Sequence, residues 1–277
     1  MINHEPIGVF DSGVGGLTVL ESIRQILPNE NYIYLGDTAR VPYGNRTSQT
    51  IIRYAVSCTQ QLVSRGVKAI VIACNTASAH ALDALRQTFD IPILGVIEPV
   101  SQMAVSLTQS QCVGVIGTRA TISSQAYTKA IHQLSENIQV YGLACPLFVP
   151  LVEEGWANTE VAGLIVREYL KNLHDSLDIS KNHQIDTLIL GCTHYPVLKT
   201  RISEALSEMG MKIQLCDCGQ ATAKVLKQTL DDKNLLNLTN HLGNIQYLVT
   251  DDPQQFMTIG CSFMREPPRN VEHIDIV

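Results

Sequence analysis

The sequence has no block of lysine or arginine and no long apolar run. Its 277 residues include 20 lysines and arginines against 26 aspartates and glutamates, a net charge of −6. Because binding of nucleic acid requires clustered positive charge, this composition argues against a nucleic-acid partner. The longest apolar stretches, around residues 69–74 and 188–190, have the length of strands and are too short to span a bilayer. We therefore expect no membrane partner.

Two further absences concern the first residues and the thiols. Residues 1–6 lack the charged and then apolar pattern of a secretory leader. The chain has eight cysteines, but no two of them have CxxC spacing, and Cys216 and Cys218 are too close together for a usual zinc site. We expect a cytoplasmic protein with free thiols and no metal site.

Short apolar strands alternate with amphipathic helices along the chain. Strands are predicted at residues 7–10, 32–35, 69–73, 112–116, 139–144, 187–190, 212–216 and 246–249, and helices at 47–64, 123–134, 159–173, 197–206 and 221–230. On the helix at 159–173, we expect Leu164, Ile165, Tyr169 and Leu173 to face inward. Strict alternation of this kind predicts an α/β fold with mainly parallel sheets flanked by helices.

The chain also repeats part of its own pattern. Residues 7–12 (IGVFDS) resemble 113–118 (VGVIGT), and 68–76 (KAIVIACNT) resemble 186–193 (DTLILGCT). The similar but unequal offsets are typical of a diverged duplication. We therefore expect two similar lobes with the active site in the cleft between them. The first lobe is predicted to hold residues 1–97 and 211–277, and the second 98–210. Glu98-Pro99 is the predicted crossing point, because proline breaks regular structure.

The echoing segments place Cys74 and Cys192 at equivalent positions, each after a strand and before a helix. Functional groups of parallel sheets collect at the carboxyl ends of the strands. A helix N-terminus there lowers the pKa of a thiol and offers N–H groups to a carboxylate. A single cysteine in this position would most simply be a small buried residue. Two in echoing contexts favour function, with one thiol on each side of a small acid.

At these residues the chain resembles the glutamate racemases of the aspartate/glutamate racemase family. The resemblance rests on five motifs, at residues 11–16, 36–44, 73–77, 149–153 and 191–196. It implies interconversion of L- and D-glutamate without a cofactor, supplying D-glutamate for peptidoglycan. It also implies that Cys74 and Cys192 exchange the Cα proton from opposite faces. This agrees with the chemistry, because inversion by proton transfer needs a base on one face and an acid on the other.

The resemblance also assigns supporting roles. Asp11 is implied as a helper of Cys74, and His194 and Glu153 as helpers of Cys192. The substrate-binding residues that it implies are Asp11, Ser12, Pro42, Tyr43, Gly44, Asn75, Thr76, Thr118, Thr193 and His194. Simpler interpretations stay open at this point, since Asp11 could cap a helix and Glu153 could form a solvated acidic pair with Glu154.

Competing functions differ in the residues they require. A racemase of aspartate or another acidic amino acid would use the same thiols, but His194 after Cys192-Thr193 favours glutamate within the family. A cysteine hydrolase or thiol oxidoreductase would not need two separated thiols. A pyridoxal enzyme needs a site lysine, and none falls in the motifs. A binding module, such as an amino-acid sensor or a gyrase partner, lacks support because there is no basic face. We expect glutamate as a small-molecule partner and leave a homodimer open.

Overall fold

The computed structural model describes residues 4–177 and 184–276. The chain divides into two compact units, the first made of residues 1–96 and 219–277 and the second of residues 97–218. No helix in the described ranges is both long enough and apolar enough to cross a membrane.

Strands and helices alternate through both units. The strands are β1 (Ile7–Asp11), β2 (Tyr32–Gly36), β3 (Ala69–Ile72), β4 (Ile93–Gly95), β5 (Cys112–Gly117), β6 (Gln139–Ala144), β7 (Thr187–Gly191), β8 (Gln214–Asp217), β9 (Ile245–Val249) and β10 (Val271–His273). The helices are α1 (Leu17–Ile26), α2 (Ser48–Val63), α3 (Asn75–Thr88), α4 (Ile97–Leu107), α5 (Arg119–Ser123), α6 (Ala126–Leu134), α7 (Phe148–Glu153), α8 (Glu160–Asp175), α9 (Lys199–Glu208), α10 (Cys218–Asp232) and α11 (Pro253–Gly260).

Each unit is built on its own parallel sheet. The first has the strand order β10-β9-β2-β1-β3-β4, and the second β6-β5-β7-β8. The neighbouring strands of both sheets pair in parallel. Strands β1 to β4 of the first sheet correspond in chain order to β5 to β8 of the second. With this correspondence, the order β2-β1-β3-β4 matches the order β6-β5-β7-β8. The repeat in the sequence is therefore also a repeat in topology. The predicted α/β fold of two units with parallel sheets and flanking helices is confirmed.

The helices follow from caps and apolar faces. Thr47 accepts a hydrogen bond from the backbone N–H of Thr50 and begins α2, whose buried face carries Ile51, Ala55, Cys58 and Leu62. These residues recur every three or four positions and so lie on one side of the helix. They pack into the apolar core against the strands of the first sheet.

One predicted helix begins three residues later than expected, after a break that separates it from the short helix α5. Residues 123–134 were expected to form one helix, but α5 ends at Ser123 and α6 begins at Ala126, with Gln125 between them at φ 54°. The Ser124 hydroxyl donates to the Thr121 carbonyl at 2.6 Å and accepts from the Ala126 N–H at 3.1 Å. Serine thus supplies local bonds that replace those of a continuous helix.

The predicted inward face of α8 is partly wrong. Leu173 is buried, but Leu164 is 61% exposed, and Ile165 and Tyr169 are half-buried. The buried stripe is formed instead by Ala162, Gly163, Val166, Leu170 and Leu173. Small residues at the start of this stripe are what the sequence interpretation overlooked, since they contribute little to the hydrophobic pattern of the helix.

The two crossings between the units also differ from expectation in detail. Pro99 does not interrupt regular structure but lies in the first turn of α4, where a backbone N–H would have no partner within the helix. The return crossing lies after Cys218 rather than at residue 211, because β8 pairs with β7 in the second sheet.

Candidate active site

Cys74 lies at the point where β3 gives way to α3. It is the N-cap of that helix, and its Sγ accepts a hydrogen bond from the Ala77 N–H at 3.4 Å. Its side chain is almost covered, with 5% of the residue exposed. Asn75 and Thr76 form the first turn of α3 and are also buried. The thiol therefore stands at the positive end of a helix dipole, where a thiolate is favoured.

Asp11 ends β1, which pairs directly with β3, and Ser12 follows it. The Cys74 thiol donates to the Ser12 Oγ at 3.4 Å. The buried carboxylate of Asp11 accepts from the Gly13 N–H at 3.0 Å. Asp11 does not cap α1, whose N-cap is Gly16 without a side-chain bond. We call Asp11, Ser12 and Cys74 the first thiol site.

The loop that contains Pro42, Tyr43 and Gly44 is held in place by the buried side chain of Tyr43. The Tyr43 ring is buried and packs against Phe10, and its hydroxyl donates to the Asp37 carboxylate. Burial raises the pKa of Tyr43 far above its usual value, with further contributions from nearby Cys58 and Asp37. The tyrosine side chain is thus committed to the core, while Pro42 is exposed and Gly44 half-buried.

Asp37 is a residue that the sequence interpretation did not single out. Its Oδ1 accepts from Arg40 Nε at 2.8 Å and from the Thr250 hydroxyl at 3.0 Å. Asp37 and Arg40 both lie in the motif at residues 36–44, so the motif held the signal. Thr250 follows β9 far along the chain, and no local pattern connects it with this loop.

The second unit presents Cys192 at the end of β7, with 7% of the residue exposed. Its Sγ lies 3.9 Å from His194 Nδ1, and His194 Nε2 lies 2.8 Å from Glu153 Oε1. The Thr193 hydroxyl lies 3.4 Å from the same Nδ1. Glu153 ends α7 and keeps 38% of its side chain exposed, but it is bonded to the histidine rather than merely solvated. These four residues form the second thiol site.

The electrostatics of the second thiol site favour a charged histidine. Burial alone would lower the pKa of His194, but hydrogen bonds to Cys192 and Glu153, together with their negative charges, outweigh it and raise the pKa to about 10. At neutral pH the imidazole is therefore protonated. A cation in contact with a thiol stabilises its thiolate form.

Thr118, the remaining predicted binding residue, follows β5 in the position that Ser12 has after β1. Its hydroxyl accepts from the Thr121 N–H at 3.2 Å and caps α5. In the part of the chain that the structure describes, no group of three or more His, Cys, Asp and Glu side chains could hold a metal ion. The predicted residues thus form one thiol site in each unit. The loop at residues 42–44 lies between β2 and α2 of the first unit, and Thr118 follows β5 in the second.

Both units are of the α/β class, and each has a parallel sheet with a cysteine after the end of one of its strands. The chain belongs to the family described as Asp/Glu/Hydantoin racemase, whose profile matches residues 7–226.

Individual relatives agree over nearly the whole chain. A glutamate racemase of Geobacter metallireducens is 49% identical over 258 residues, which cover 93% of this chain and 92% of that protein. The crystal structure of glutamate racemase from Francisella tularensis in complex with D-glutamate has a TM-score of 0.88 and 39% identity, covering 99% of this chain and 98% of that one. The enzyme from Thermus thermophilus, in complex with β-chloro-D-alanine, has a TM-score of 0.86 and 40% identity, with the same coverage.

Proposed function

We propose that this protein interconverts L- and D-glutamate by proton transfer between two thiols, without a cofactor. The observation that carries this proposal is the pair of echoing strand ends, each bearing a thiol in contact with a polar side chain, Ser12 at Cys74 and His194 at Cys192. The proposal is supported by relatives of 42–54% identity that are named glutamate racemases.

The proposed reaction conserves its protons. For one enantiomer, the thiolate of one cysteine removes the Cα proton and becomes a thiol. The other cysteine, as a thiol, delivers its proton to the opposite face and becomes a thiolate. The reverse reaction exchanges these roles. Each cysteine must therefore act as acid and as base, which requires a neighbour that stabilises both forms.

The neighbours supply different support at the two thiol sites. Near Cys192, the His194 imidazolium stabilises the thiolate, and Glu153 orients the ring through Nε2. Near Cys74, the N-terminus of α3 stabilises the thiolate, and Asp11 and Ser12 supply side-chain oxygen atoms as acceptors for the proton of the thiol. We propose that the loop at Pro42, Tyr43 and Gly44, with Asn75, Thr76, Thr118 and Thr193, holds the amino and carboxylate groups of glutamate. Hydroxyl, amide and backbone N–H groups can do this without adding a competing charge.

Single substitution of each thiol tests the mechanism. Cys74→Ser and Cys192→Ser should each abolish racemisation, because serine is a much weaker acid but keeps the size of the side chain. Cys261→Ser, at an exposed thiol, is the matched control and should keep full activity. Substantial turnover by either of the first two variants would exclude the two-thiol mechanism.

The fate of the Cα proton is a second and independent test. L-glutamate incubated in deuterated water should lose its optical signal while deuterium enters Cα of the D-product, as followed by circular dichroism and mass spectrometry. Inversion without deuterium in the product would contradict proton exchange through the thiols. Removal of pyridoxal phosphate by treatment with hydroxylamine and dialysis should leave the rate unchanged.

Substrate choice and biological role need their own experiments. Glutamate should be turned over much faster than aspartate at equal concentration, and the opposite ranking would assign the chain to aspartate. We further propose that the D-glutamate serves peptidoglycan synthesis, so the gene should restore growth of a bacterium that requires D-glutamate. The sequence leaves a homodimer open, and sedimentation equilibrium would test for one.

A further inference from the structure

Tyr34 on β2 is a buried residue with no part in the proposed proton transfers, although it lies beside the first thiol site. In the parallel pairing of β1 with β2, Val9 is opposite Tyr34 and Asp11 is opposite Gly36. Side chains two residues apart on a strand point to the same face. Tyr34 and Asp11 therefore share one face of the first sheet. Because Gly36 has no side chain, the turn that follows Asp11 has room to approach β2.

The Tyr34 hydroxyl is bonded to the turn that follows Asp11. It donates to the Gly13 carbonyl at 2.8 Å, while the Gly13 N–H donates to the Asp11 carboxylate at 3.0 Å. Gly13 thus joins the tyrosine to the aspartate through its two backbone groups. The tyrosine hydroxyl restrains the carbonyl side of Gly13, while the N–H side of the same residue is bonded to the aspartate.

The surrounding backbone leaves this turn little freedom. A Cβ at Gly16 would lie 2.5 Å from Asp11 Cβ and 3.0 Å from the Tyr34 hydroxyl, and a Cβ at Gly36 would lie 2.6 Å from the Gly13 carbonyl oxygen. Contacts of this length are not tolerated between real atoms, so both glycines are needed for the close approach. Asp11, Gly13 and the Tyr34 hydroxyl are therefore closely packed against one another.

The tyrosine ring is held in turn by the C-terminal part of the chain. Its centroid lies 6.3 Å from that of Tyr247 on β9 and 5.7 Å from that of Phe256 on α11. These three rings lie within one unit and are buried. A ring packed in this way has few rotamers open to it, so the hydroxyl has a defined position.

We propose that Tyr34 is a positioning residue that fixes the Asp11 carboxylate relative to Cys74 by means of Gly13. The inference rests on the proposed function, because it assigns Asp11 a part in the proton transfer at Cys74. Burial raises the pKa of Tyr34 well above its usual value, and the nearby charges of Asp11 and Cys74 raise it further. The hydroxyl therefore remains protonated, and a donor, at any pH at which the enzyme would work.

Tyr34→Phe isolates the hydroxyl, since the ring and its packing remain. We expect kcat to fall by about tenfold to a hundredfold, as is usual when a reacting group is slightly misplaced. KM should change less, because Asn75, Thr76 and Thr193, which are proposed to hold glutamate, belong to other segments of the chain. Two controls remove a buried hydroxyl of the same first unit. Tyr32→Phe loses a bond to the Leu27 carbonyl of 2.6 Å, and Tyr247→Phe loses one to Met264 Sδ of 3.7 Å. Both controls should keep kcat.

The reactivity of the thiols gives a readout that does not depend on racemisation. The rate at which iodoacetamide alkylates Cys74 would be followed against pH by peptide mass spectrometry, with Cys192 in the same molecules as internal reference. In Tyr34→Phe, the pH midpoint for Cys74 should fall, because a carboxylate no longer held near the thiolate destabilises it less. The midpoint for Cys192 should stay unchanged.

The outcomes separate the two proposals. If Tyr34→Phe matches Tyr32→Phe in kcat and in the Cys74 alkylation profile, the positioning role is excluded. A fall of both midpoints together would also exclude it, because a general loosening of the protein would explain that result. If the wild-type protein does not racemise glutamate, the proposed function fails, whereas a selective change at Cys74 would still establish the link from Tyr34 to the first thiol site.

Discussion

Gly16 is the residue on which the position of Asp11 depends most directly. Its φ of −59° suits any amino acid, so the backbone does not demand glycine. The demand comes from space, because a Cβ there would lie 2.5 Å from Asp11 Cβ. A methyl group at this place would have to displace the carboxyl group.

Gly16→Ala should therefore lower kcat by about tenfold or more, through the displaced helper at Cys74. Gly163→Ala is the matched control. Gly163 lies inside α8, and its nearest neighbour would be Arg167 Nη1 at 3.7 Å. Alanine there should stabilise the fold by about 0.5–1 kcal/mol without affecting turnover. Steady-state kinetics and urea unfolding of both variants measure this contrast, and equal kinetics would refute it.

His194 makes both stability and activity depend on pH. Its pKa rises from the usual 6.5 to about 10 in the folded protein. A raised pKa means that the folded state binds the proton more tightly than the unfolded state does. The stabilisation is therefore complete below about pH 6.5 and is lost as the pH rises through about 10.

His194→Gln should remove this dependence. The free energy of unfolding of the variant should lie furthest below that of the wild type near pH 6, and the gap should narrow toward pH 10. In the wild type, kcat/KM should fall at alkaline pH as the imidazolium is lost. This fall should be absent in the variant. His174→Gln, on the exposed side of α8, serves as control. A gap that stays constant with pH would show that the His194 proton is not linked to folding.

At the scale of helices and strands, the sequence was most informative where burial is complete. The predicted strands at residues 7–10, 32–35 and 69–73 correspond to β1, β2 and β3 within one residue at each end, because strands of a parallel sheet are covered on both faces and read as apolar runs. The short strands β4 and β10 escaped prediction. Each has three residues, too few for a periodic signal.

The candidate site shows the same division. Cys74 and Cys192 could be predicted because strand ends and helix starts are local features of the sequence. The bond from Tyr34 to Gly13 could not, since it depends on β1 and β2 becoming neighbours in the sheet. The catalytic and binding roles of the predicted residues stay predictions until the variants are measured.

Thr159 offers a test of how much one helix cap contributes to the stability of the second unit. Its hydroxyl accepts from the Ala162 N–H at 3.3 Å and begins α8. Thr159→Ala should lower the free energy of unfolding by about 1 kcal/mol, whereas Thr159→Ser should keep the bond and most of the stability. Neither should alter kcat, as measured with urea unfolding and kinetics on the same samples. Equal stability of the two variants would mean that the cap contributes nothing.

At the scale of the whole molecule, the first unit is assembled from two distant stretches of chain. The sheet itself joins them, because β9 pairs with β2. A buried polar cluster adds a second connection. Lys68 Nζ lies 2.6 Å from Glu30 Oε2 and donates to the Leu235 carbonyl at 2.7 Å, while Glu30 Oε1 accepts from the Asn237 N–H at 2.8 Å. This ion pair thus holds in place the segment between α10 and β9.

Loss of one partner of this pair should be costly, because both side chains are almost completely buried. Lys68→Met leaves the Glu30 carboxylate without its cation and should lower the free energy of unfolding by about 3–5 kcal/mol. Adding Glu30→Gln should recover much of that loss, since the buried charge is gone and the amide oxygen still accepts from Asn237. Urea unfolding of the single and double variants gives the coupling energy. Because Tyr247 and Phe256 belong to the same returning stretch, Lys68→Met should also lower kcat in the folded protein, and the double variant should restore it. Additive stability effects of the two substitutions would show that the pair does not hold the returning stretch in place.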